Sequence, residues 1–85
     1  MTKGQNVKLQ KNLYAGKDGG VATGLNQNKN LHIELVGPGV AHFPLNAGTV
    51  GVITDVSPVS ITVDYGNAVL KFQKFVYGEF NQLKL

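Results

Sequence analysis

The chain has 85 residues, a formal charge of +3 and no cysteine. That length suits one domain, residues 1–85, burying roughly 60% of its unfolded surface around a single core. The composition excludes a disulfide framework, a thiolate metal site and a thiol nucleophile. Every basic residue is lysine, so no guanidinium fork is available to grip a phosphate or a guanine edge at two points.

The opening "MTKGQNVKLQ" has no apolar run after its lysine, which predicts no secretory signal. No stretch approaches the roughly 18 to 20 apolar residues a membrane-crossing helix needs. A soluble, cytoplasmic protein is the expectation.

In chain order, "GQNVKLQ" alternates and predicts a strand over Asn6–Gln10, with Val7 and Leu9 inward and Lys8 outward. Lys11 to Asn30 is rich in glycine and asparagine and lacks periodicity, so it reads as a long loop, the most mobile part of the chain. Leu13, Tyr14 and Val21 are expected to anchor it loosely. "LHIELV" predicts a strand over Leu31–Val36, ended by the "GPG" of Gly37 to Gly39.

The strongest pattern is "AGTVGVITDVSPVSITVDYGNAVLKFQ", Ala47 to Gln73. A two-residue hairpin loop at Gly66-Asn67 places Tyr65 opposite Ala68, Val63 opposite Leu70 and Ile61 opposite Phe72. A four-residue loop, Val56 to Val59, accommodates Pro58. It sets Thr54 against Ile61, Val52 against Val63 and Val50 against Tyr65. Strands are expected over Thr49–Asp55, Ser60–Tyr65 and Ala68–Gln73. The outer face then carries Gly51, Ile53, Asp55, Ser60, Thr62, Asp64, Val69, Lys71 and Gln73. "FVYGEF" suits one 3₁₀ turn, and a last strand over Gln82–Leu85 points Leu83 and Leu85 inward. The expected core is Val7, Leu9, Val50, Val52, Ile61, Val63, Tyr65, Leu70, Phe72 and Leu83.

The fold expected is all-β: a small barrel of five or six short antiparallel strands with a long Gly/Asn-rich first loop, closure removing open edges. "GQNVKL", "AGTVGVITDV", "ITVDYGN" and "FNQLKL" together resemble the SH3-like barrels. Their spacing is similar to that of KOW-type domains and of the small SH3-like accessory subunits of cyanobacterial photosynthetic complexes. The resemblance implies an SH3-like fold. It covers about half the chain and rests on strand and turn residues, so it speaks to fold and not to activity.

Motifs for chemistry are sparse. "GKDGG" is no phosphate loop, since Lys17 is followed by Asp18 rather than Ser or Thr and no helix follows. His32 and Glu34 share a strand face, but two ligands hold a metal only with others, and nothing fixes His42 beside them. Ser57 and Ser60 lack a nucleophile elbow. Asp18, Glu34, Asp55, Asp64 and Glu79 are scattered. No catalytic residue, metal or cofactor is expected, and the chain reads as no enzyme.

Two functional readings follow. The first is a non-enzymatic binding module or accessory subunit. It docks on a larger protein assembly through its long loop and an outer face around Ile53, Thr62, Val69 and Lys71, with Phe75 or Tyr77 at the rim. The second is a KOW-type nucleic-acid binder using Lys8, Lys11, Lys71, Lys74 and Lys84 with surface aromatics. Against both, Phe75 and Phe80 also suit a plug for the barrel end.

Overall fold

The computed structural model describes residues 1–15, 20–23, 29–37 and 43–83. Among these, nine strands and one helix follow one another: β1 Asn6–Leu9, β2 Leu13–Ala15, β3 Gly20–Ala22, β4 Lys29–Gly37, β5 Phe43–Leu45, β6 Val50–Val56, β7 Ser60–Asp64, β8 Val69–Gln73, α1 Lys74–Phe80 and β9 Asn81–Leu83. The strands form one antiparallel sheet in the order β5-β2-β3-β4-β8-β7-β6-β1-β9, curled into a half-barrel. The mostly-β expectation stands, with nine strands in place of five or six. No helix among the described residues is long and apolar enough to cross a membrane.

The β7–β8 hairpin has the register its pattern dictates, with Val63 opposite Leu70 and Ile61 opposite Phe72. The Tyr65 amide donates to the Ala68 carbonyl at 2.8 Å across the loop. Gly66 has φ of +96°, a conformation that costs glycine least. The Asp64 Oδ1 accepts from its amide at 2.8 Å.

The β6–β7 register differs from the expected one. Pairing runs Val56 to Ile61 and Asp55 to Thr62, then jumps to Ile53 with Val63 and Val52 with Asp64. Thr54 is therefore the extra residue of a β-bulge. One inserted residue inverts the alternation beyond it. Ile53 turns inward and is fully buried, whereas Val50 and Val52, expected in the core, are 41% and 39% exposed. The connecting loop is also tighter than the expected four residues: the Ser57 amide donates to the Ser60 carbonyl at 2.9 Å, leaving Pro58 and Val59 at its tip.

The expected loop from Lys11 to Asn30 contains structure. Leu13 and Val21 are buried, and β2 pairs with β3 and β5 while β3 pairs with β4. Three-residue strands hold too few positions for alternation to show in sequence. The rest of that segment, 16–19 and 24–28, lies outside the described residues, as do His42, most of the "GPG" turn, Lys84 and Leu85.

One hydrophobic core draws on β1 to β8 and on α1, with Phe72 fully buried in it. The Phe72 ring meets Tyr65 and Tyr77 edge-on at 6.5 and 6.1 Å and stacks with Phe80 at 6.2 Å. Val76, Tyr77 and Phe80 form the buried face of α1, a two-turn α-helix where one 3₁₀ turn was expected. Leu83, also expected in the core, lies half exposed on the edge strand β9.

Candidate functional site

Helix α1 begins directly where β8 ends, with the Lys74 amide donating to the Val59 carbonyl at 2.9 Å. This contact ties the helix start to the β6–β7 turn. A helix so short buries one stripe only. With Val76, Tyr77 and Phe80 turned inward, Phe75 is left on the opposite side, 70% exposed.

Phe75 is held in place despite that exposure. The His32 ring meets it edge-on with centroids 4.6 Å apart, a geometry that aligns the positive ring edge with the negative face. His32 reaches it from β4, the strand next to β8. The His32 amide donates to Asn30 Oδ1 at 2.8 Å, fixing the chain just before the ring. Leu31, one residue earlier, is 89% exposed.

Beside this pair lies a pocket of about 150 Å³, lined by Leu31, His32, Ile33, Glu34, Ser60, Lys71 and Gln73. Thr62, Lys71 and Glu34 are successive cross-strand partners on β7, β8 and β4, so the lysine stands between a hydroxyl and a carboxylate. Ser60 is buried, with its hydroxyl 2.8 Å from that of Ser57 and its amide donating to Ser57 Oγ at 3.0 Å. The two serines brace the turn. The serine hydroxyl therefore faces Ser57 while the only described histidine packs on Phe75. No group of three potential metal ligands occurs among the described residues.

Set against the expected partner face, Thr62, Val69 and Lys71 lie on the outer sheet surface and Phe75 projects beside it. Ile53 does not: the Thr54 bulge places it in the core. Tyr77 is not at the rim either, since it is buried against Phe72. Of Phe75 and Phe80, both weighed as a plug for the barrel end, only Phe80 is buried. Leu31 and Val59, exposed near the same end of the sheet, were missing from the expected set. In sequence each looks like an ordinary strand or turn residue.

The candidate nucleic-acid lysines do not converge. Lys71 and Lys74 stand near Phe75 in the chain, but Lys71 is opposite Glu34. Lys11 pairs with Glu79 at 3.1 Å and sits over the Phe80 ring at 5.7 Å. Lys8 is on β1, three strands from β8. Lys84 lies outside the described residues. No protein-family model, curated protein or solved structure matches this chain.

Proposed function

We propose that the chain is a small non-enzymatic, SH3-like binding module. It docks on a larger cytoplasmic protein assembly through the end of the sheet that carries Phe75, His32 and Leu31. The observation that carries the reading is Phe75, largely exposed yet fixed by an edge-on histidine beside a polar pocket. An immobilised aromatic gives contact area at small entropic cost when a partner covers it, which is how interface anchors act. Glu34, Lys71 and Gln73 supply the polar rim. The SH3-like part is supported by the β6–β7–β8 meander with the first and last strands, β1 and β9, laid beside it.

The second reading, a KOW-type nucleic-acid binder, is favoured by Lys74 next to Phe75 in the chain and Lys71 four residues before it. Against it, the sheet interleaves Asp55, Asp64 and Glu34 with those lysines. Anions along a phosphate track raise its potential energy.

Titration with mixed single- and double-stranded oligonucleotides at two salt concentrations separates the readings. Protein docking predicts weak binding with little salt dependence. Submicromolar binding with a logarithmic slope of about −0.7 to −0.9 per phosphate contact, abolished by Lys71→Glu and Lys74→Glu, would select nucleic acid instead.

A further inference from the structure

The outer face of β6 presents a second surface, away from Phe75. Val50 and Val52 project from it, and both line an open depression with Asp64 and Gly66. Lys8 on β1 is the cross-strand partner of Val50, and Asp64 on β7 is the partner of Val52. Directly paired residues share a face, so one valine stripe has a cation along one side and an anion along the other. Among the described residues, neither Lys8 nor Asp64 has an ion-pair partner within the chain. Asp64 commits Oδ1 to the Gly66 amide, and no hydrogen bond engages Oδ2 among the described residues.

We propose that this face binds a second copy of the chain, forming a two-fold dimer with β6 packed on β6. The charges select the axis. A two-fold axis lying in the interface and across the strands would set Lys8 over the Lys8 of the other copy and is repulsive. An axis along β6 carries each Lys8 to the side where the other copy holds Asp64, while Val50 meets Val50 and Val52 meets Val52. The stripe is thus complementary to itself, as an isologous contact requires. Lys8 and Asp64 are offset by two residues along the strand, roughly 7 Å, and facing sheets stand about 10 Å apart. A lysine stem lying along apolar surface spans that offset. The two symmetry-related ion pairs sit at the edge of the valines, where they fix orientation more than they add affinity.

Sedimentation velocity of the whole chain over a concentration series tests this. The expected result is a reversible monomer–dimer equilibrium, modestly weakened by salt. Val52→Glu should abolish it. Lys8→Glu turns both attractions into repulsions and should weaken it about tenfold or more, a range two exposed pairs support. Reversing both charges, Lys8→Glu with Asp64→Lys, should restore it. Because Asp64 also holds the Gly66 turn, Lys8→Glu with Asp64→Asn is made alongside. It keeps the amide oxygen as acceptor and removes the repulsion, so it should dimerise more tightly than Lys8→Glu alone. A monomer at every concentration, or a dimer indifferent to Val52→Glu or to Lys8→Glu in variants shown folded by circular dichroism, would overturn the proposal.

Discussion

Gly51 and Tyr65 meet so closely that a Cβ on the glycine would fall 2.7 Å from Tyr65 Cδ1, and equally near Val63 Cγ1. The inward position on β6 beneath the tyrosine ring therefore admits no side chain. This explains why β6 turns Gly51 and Ile53 inward instead of Val50 and Val52. The backbone atom Asp64 O is also only 3.0 Å from that Cβ position, so relief is not a matter of one rotamer. Gly51→Ala should lower the unfolding free energy by about 1 to 3 kcal/mol through overpacking. Urea denaturation measures it, and an unchanged midpoint would mean that β6 can shift away from β7.

The inverted alternation on β6 makes two neighbouring residues unequal. Ile53→Ala empties a fully buried site and should cost about 2 to 5 kcal/mol. Val52→Ala trims a side chain on the outer surface and should stay within about 0.5 kcal/mol. Equal losses, or the reverse order, would restore the register in which the valines face the core.

The Tyr65 hydroxyl donates to Asn81 Oδ1, and Asn81 Nδ2 donates to the Tyr77 carbonyl at 3.3 Å. This joins the β7–β8 turn to the end of α1 in the core. Tyr65→Phe leaves the buried Asn81 oxygen without that donor and should cost about 1 to 3 kcal/mol.

The same phenol sets an alkaline limit. Burial pushes the Tyr65 pKa far above its ordinary value, nearby Tyr77 pushes the same way, and the bond to Asn81 opposes both. Burial raises Tyr77 as well. The folded chain thus keeps protons that the unfolded chain releases above about pH 10. Stability is fully present below that pH. It falls as pH rises past it, by up to about 1.4 kcal/mol per pH unit for Tyr65 alone. Tyr65→Phe should begin less stable but decline less steeply. Unfolding curves at several pH values between roughly 9 and 11 read this directly; identical slopes would show that Tyr65 ionises freely in the folded state.

How much of this was legible in the sequence depends on how local the deciding interaction is. The Gly66-Asn67 hairpin was readable because the turn and five alternating residues on each side agree, and its register is as the pattern demands. The β6 register was not, because a single inserted residue at Thr54 inverts the faces, and nothing in "GVITDV" marks it. The decisive clue was long-range: the space above Gly51 is taken by Tyr65, fourteen positions away. Strands β2, β3 and β5 escaped because each is only three residues long and held by pairing across the sheet. At the candidate site Phe75 stood out because it breaks the strand alternation. Its partner His32 did not, since no local pattern joins residues 43 positions apart.

The proposed docking of a protein partner would cover the end of the sheet marked by Phe75. Affinity capture with tagged wild type and with Phe75→Ala, each with and without nuclease, tests it most directly. Phe75 is 70% exposed and lies outside the buried core, so Phe75→Ala should melt within a few degrees of wild type. Wild type should retain a defined polypeptide after nuclease treatment and at moderate salt. Phe75→Ala should lose at least about tenfold of that capture, the loss expected of a central anchor. Capture that disappears with nuclease, or that persists undiminished with Phe75→Ala, would contradict it.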